Sequence, residues 1–179
     1  MGNSATSARW VWIALLIPAS LVFSLAFACA TPFAAFAALA ATYFRRAEGA
    51  VLVLGVWLIN QAVGFGLLGY PMAWDSFGWG AAIGIAALAG YGAAKTFFLS
   101  KTMIVIRWLA PFAAAFVTYE LVLFAAAFAL PSGSDAFSIQ TVSRILIVNA
   151  VAYVGLLAAQ HLAMNFGGIL APRPQITTR

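Results

Sequence analysis

Apolar residues run along this chain in long unbroken stretches, interrupted by short polar or proline-containing breaks and without the period-two alternation of barrel strands. A backbone in lipid satisfies its hydrogen bonds either within one helix or around a closed barrel. Continuous apolar runs therefore predict helices. The first run covers residues 10–44. As a single helix, at about 1.5 Å per residue, it would reach roughly 52 Å, well beyond a hydrocarbon core about 30 Å thick. Thr31-Pro32 supplies the break, because proline lacks the backbone donor and restricts the residue before it. Spans are thus expected at 10–29 and 32–44, the second being short, tilted or re-entrant. Four more follow at 50–71, 77–98, 102–129 and 145–166. They are separated by Tyr70-Pro71, by Ser100-Lys101 and by the polar stretch from Pro131 to Arg144. The expected fold is an all-α integral membrane protein, a single-domain six-helix transmembrane bundle.

Composition agrees with that pattern. Of 179 residues, 65% are hydrophobic and 7% charged, against roughly 25% charged in soluble domains. A water-soluble fold is excluded on that ground. The net charge of +5 sits on basic residues scattered at helix ends, not in the stripe that nucleic acid requires. Cytoplasmic loops hold the excess of Lys and Arg. With both termini in the cytoplasm, the inner segments carry Arg9, Arg45, Arg46, Lys95, Lys101, Arg173 and Arg179, with Arg107 able to snorkel to the same face. The outer loops keep Arg144 with Asp75 and Asp135. A multi-pass protein of the cell membrane, the bacterial inner membrane, is expected.

Several motifs have structural explanations. Arg9, the apolar segment after it and Ala28-Cys29-Ala30 have the outline of a secretory signal, but the stretch is longer than a signal core and more spans follow, so an uncleaved first helix is expected. Met1-Gly2 with Thr6 fits the myristoylation pattern, which a chain with this many spans does not need as an anchor. Gly64, Gly66 and Gly69 have dinucleotide-loop spacing, yet no strand precedes them. Gly55, Gly80 and Gly84 are expected to let spans three and four pack closely. Ala34, Ala38, Ala37 and Ala41 form a similar small-residue face on the second span, for internal packing or for another membrane protein. Cys29 has no disulfide partner in the chain and, with His161 the lone histidine, no zinc-type ligand set is formed. No metal or cofactor is expected. Trp and Tyr near the span ends read as interfacial belts.

Polar side chains within a span cost free energy unless they face the bundle interior or one another. Glu120, about 15 Å below the outer end of its span, and Tyr153, at a similar depth in the next, come within reach of each other on these boundaries. Asn149 and Tyr70 lie nearer the outer surface, and Trp74, Asp75 and Trp79 crown the loop between spans three and four. Together they outline an outward-facing polar and aromatic chamber. Asn60 and Gln61 sit near mid-span in the third helix, where at least one faces inward, as interhelical glue or as a ligand contact. Glu120 is the one acidic residue within the predicted spans, so it must be protonated, paired or in contact with a water-filled cavity. Depth separates Glu120, His161 and Cys29, which leaves no convergent acid, base and metal set, so an enzyme is not expected.

Six spans in a chain of this size, both ends inside, with Ala34-xxx-Ala38 or Ala37-xxx-Ala41 on an early helix, resemble the substrate-binding S-component of energy-coupling factor (ECF) vitamin transporters. In that family an alanine-rich AxxxA surface on the first helix contacts a coupling subunit. Here the matching alanines fall after the break, outside the first span. The resemblance implies capture of a vitamin or cofactor precursor from the outer side, with Tyr70, Trp74, Asp75, Trp79, Glu120, Asn149 and Tyr153 lining the pocket. Cys29 makes a cobalt-containing corrin a ligand to test. The competing expectation is an accessory subunit that packs in a larger membrane complex through its alanine and glycine faces and binds no substrate.

Overall fold

The computed structural model describes residues 2–27, 31–98, 104–131, 133 and 137–166. Cys29, Lys101, Asp135, Arg173 and Arg179, and the readings that rest on them, lie outside the described residues. Six helices form the fold: α1 (Gly2–Phe27), α2 (Phe33–Tyr43), α3 (Arg46–Gly66), α4 (Trp74–Phe98), α5 (Ile104–Ala126) and α6 (Ile139–Phe166). No strand occurs among the described residues. Four of the helices, α3 to α6, are long and apolar enough to cross a membrane.

The short second helix is the centre of the molecule. Every one of the 11 residues of α2 is buried. It packs against α3, α4, α5 and α6, and the ring of Phe36 meets Phe23 of α1 edge-on, with centroids 6.0 Å apart. A helix that is hydrophobic all round has no face to give to water and buries itself completely, and α2 is mostly alanine, so neighbouring helices can come close on all sides. At about 1.5 Å per residue α2 is roughly 16 Å long, half of an apolar core about 30 Å thick. Ala34, Ala37, Ala38 and Ala41 are therefore packed within the chain's own core and present no surface to a partner.

Consecutive helices run in opposite directions. Arg9 near the start of α1 pairs with Glu48 at the start of α3 (Nε to Oε2, 2.9 Å). Lys95 near the end of α4 donates from Nζ to the carbonyls of Ala41 (2.8 Å) and Phe44 (2.6 Å) at the end of α2. Tyr43 lies against Trp108 of α5, ring centroids 6.0 Å apart. One end of the bundle thus carries Arg9, Arg45, Arg46, Lys95 and Arg107, with Glu48 the one acid there among the described residues. At the opposite end, Trp79 donates from Nε1 to the Pro131 carbonyl (3.0 Å), and Phe124 meets Phe137 edge-on at 5.3 Å.

Close approach is built on glycine: Gly80 and Gly84 of α4 meet α3 as expected, whereas Gly55 of α3 faces Ile17 of α1 and not α4. Trp57 of α3 lies over Gly84, where an added Cβ would stand 2.9 Å from the indole, and its Nε1 donates to the Gly80 carbonyl (2.8 Å). The tightest backbone approach lies elsewhere. A Cβ on Gly90 of α4 would stand 2.8 Å from the Ala115 carbonyl oxygen of α5.

The helix limits differ from the expected span limits, most clearly at three places. The polar stretch from Pro131 to Arg144 is not all loop: α6 begins at Ile139, because the Ser138 hydroxyl accepts from the Thr141 backbone N–H (3.2 Å) as a helix N-cap. Arg144 is consequently a helical residue. The fifth span ends at Ala126, short of 129. At the start of α3, Arg46 to Gly49 are helical as well, so Glu48 also belongs to a helix.

Candidate functional site: a polar layer at mid-depth

Where α2 starts, half way up the bundle, polar side chains from three other helices collect. Asn149 of α6 is 1% exposed. Its Oδ1 accepts from the Ala35 backbone N–H (3.2 Å) and its Nδ2 donates to the Ile145 carbonyl (3.0 Å). It thus supplies from another helix the cap that Pro32 cannot give, since a helix start leaves backbone donors unmatched. On the other side, Asn60 of α3 donates from Nδ2 to Thr31 Oγ1 (2.7 Å). Gln61 donates from Nε2 to Asn60 Oδ1 (3.2 Å), so the two adjacent amides are chained together. From α5, Tyr119 stacks on Phe33 with ring centroids 6.0 Å apart. Glu120 follows it at the same level. Its Oε1 is buried and has no hydrogen-bond partner among the described residues.

The remaining candidates fall into two places. Tyr70, Trp74, Asp75 and Trp79 lie at the rim opposite the basic end, in and beside the α3–α4 connection. Tyr70 packs on Gly64 and meets Phe65 edge-on at 5.9 Å, while Phe65 stacks on Phe77 at 4.8 Å. Trp74 is 70% exposed. Asp75 stands in the first turn of α4, where the helix dipole favours a carboxylate. Trp79 ties the rim to the α5–α6 connection through Pro131. Tyr153 lies toward the opposite end: it stacks on Phe112 at 5.0 Å and donates to the Trp108 carbonyl (3.1 Å). Phe112 and Glu120 are separated by two turns of α5, about 12 Å, so Tyr153 and Glu120 do not meet. The expected meeting failed because α6 starts earlier and α5 ends earlier than the polar pattern indicates, and each shift moves the pair apart in depth.

Two functional-looking groups were not visible in the pattern. Thr31, seen only as part of a proline break, holds Asn60. Lys95, seen only as a topology charge, caps α2. A cationic residue at a helix C-terminus is the recognisable signal, but the capped helix lies 51 residues or more away in sequence. His161 is exposed, whereas its neighbour Gln160 is fully buried.

The layer offers one carboxyl oxygen, of Glu120, without a hydrogen-bond partner among the described residues, beside amides and a hydroxyl bonded within the chain, which suits a hydrogen-bond donor or a cationic group on a small molecule. Among the described residues no group of three or more His, Cys, Asp or Glu could hold a metal ion. No protein-family model, curated protein or solved structure matches the chain.

Proposed function

We propose that the chain is a six-helix inner-membrane protein with cytoplasmic termini that takes a small molecule, a vitamin or cofactor precursor, from the outer face for uptake. The observation that carries this reading is that α2 stops half way, at a layer formed by Thr31, Asn60, Gln61, Asn149 and Glu120. A central helix of about half the apolar thickness ends at these polar groups instead of crossing the bundle. Transporters use such discontinuous helices near the bilayer midplane to form their binding sites. The gathering of Arg9, Arg45, Arg46, Lys95 and Arg107 at the other end supports that end as the cytoplasmic one. The outer rim of Tyr70, Trp74, Asp75 and Trp79 would then frame the entrance, with Glu120, Asn60 and Gln61 below it and Asn149 fixing the floor.

The accessory-subunit reading is favoured by a different observation: the amides of Asn60 and Asn149 and the Tyr153 hydroxyl are bonded to this chain's own groups. Ligand-induced thermal stabilisation of the purified protein, across a panel of vitamins, cofactor precursors and cobalamins, separates the two. Uptake binding predicts that at least one compound raises Tm and that Glu120→Ala abolishes the rise. A panel with no shift removes the binding reading and leaves the subunit.

A further inference from the structure

We propose that the groove between α4 and α5 is a specific site for an anionic phospholipid, with one acyl chain in the groove and the phosphate on Arg107. This rests on the chain lying in a bilayer and not on the uptake reading. The groove has a volume of about 380 Å³ and is lined by Phe97, Ala110, Ala113, Ala114, Val117 and Thr118. Apart from the Thr118 hydroxyl its lining is apolar. From Ala110 to Thr118 it extends two turns, about 12 Å along the helix, the shape of a slot that receives a hydrocarbon chain.

Arg107 sets the polarity of the occupant. Ala110, Ala114 and Thr118 follow it at i+3, i+7 and i+11, so all four positions share one stripe of α5. Side chains lean toward a helix N-terminus, and α5 starts at the basic end, so the guanidinium stands at the groove's mouth at the edge of the apolar zone. Arg107 has no ion-pair partner among the described residues, because Glu48, the acid at this end, is taken by Arg9. A cation there favours a phosphate without a compensating positive headgroup.

The test is binding of phosphatidylglycerol and phosphatidylcholine to the full chain in micelles, read by native mass spectrometry and by Tm. The wild type is expected to bind phosphatidylglycerol more tightly and to be stabilised more by it. Arg107→Gln should weaken that binding about fivefold, the effect of removing one basic charge at a membrane surface. Ala114→Leu, which fills the groove, should weaken both lipids, and Ala113→Leu provides a second filling variant should that one misfold. Equal binding of the two lipids by the wild type overturns the proposal. So does retention of the preference in Arg107→Gln with its loss in Arg45→Gln/Arg46→Gln, which would put the lipid at another corner. A Tm that depends on protein concentration and not on lipid would make a second copy of the chain the occupant, and would also overturn it.

Discussion

Lys95 shows what a single side chain does in this fold. Its ammonium meets the last carbonyls of α2, groups left without partners by any helix end, and it does so inside the protein, where an unmatched acceptor costs most. Lys95→Met keeps the length and apolar stem but removes the donors. It is expected to destabilise the protein by about 2–4 kcal/mol, since two buried acceptors lose a charged donor. Unfolding in mixed micelles measures this, and a loss under about 0.5 kcal/mol would show that α2 does not need the cap. The Arg9–Glu48 pair makes a related prediction. Both side chains are buried, so Glu48→Gln, which removes the charge that balances the buried guanidinium, should cost about 3–5 kcal/mol, and the double change Arg9→Leu/Glu48→Leu should recover part of it. Glu120 is legible in sequence because an acid interrupts an apolar run. The bond from Asn149 to Ala35 is not, since its partners lie 114 positions apart and the acceptor serves a backbone group that any residue carries.

Among the elements, α2 is where sequence and structure differ most in meaning. Its limits were readable from the length of the first apolar run and from Thr31-Pro32. Its place was not: an apolar helix suits lipid and protein interior alike, and uniform alanine gives no moment to point with. The start of α6 was misread for the opposite reason, because polar Ser138 to Arg144 resembles a loop until the Ser138 cap is recognised. The α4–α5 pair provides a test of packing at this scale. Gly90→Ala drives a methyl against the Ala115 backbone oxygen and should cost about 1–3 kcal/mol. Gly92→Ala, two residues on, meets nothing within 4 Å and should be neutral or stabilising by up to about 1 kcal/mol through helix propensity. Equal effects of the two would mean that α4 and α5 are not in close backbone contact.

At the scale of the molecule, the one-sided distribution of Lys and Arg and the alternation of helix direction describe the same object. Both ends of the central helix are tied to partners in other elements, Asn149 above and Lys95 below. The basic cluster marks one end, and the aromatic rim of Tyr70, Trp74 and Trp79 marks the other. The polar layer between them was only partly legible: Asn60, Gln61, Asn149 and Glu120 stand out within apolar runs, but their common level depends on where α2 begins and on the true ends of α5 and α6. The central claim is that this layer is reached from the outer side. It is tested most directly in intact cells, in a Cys29→Ala background, by a small membrane-impermeant thiol reagent applied outside to Met72→Cys, Gln61→Cys and Arg45→Cys proteins. Labelling of Met72→Cys, exposed in the α3–α4 connection, and of Gln61→Cys in the layer, with Arg45→Cys protected, is the predicted result. Labelling of Arg45→Cys without Met72→Cys would invert the orientation, and a silent Gln61→Cys beside a reactive Met72→Cys would contradict an outward-facing site.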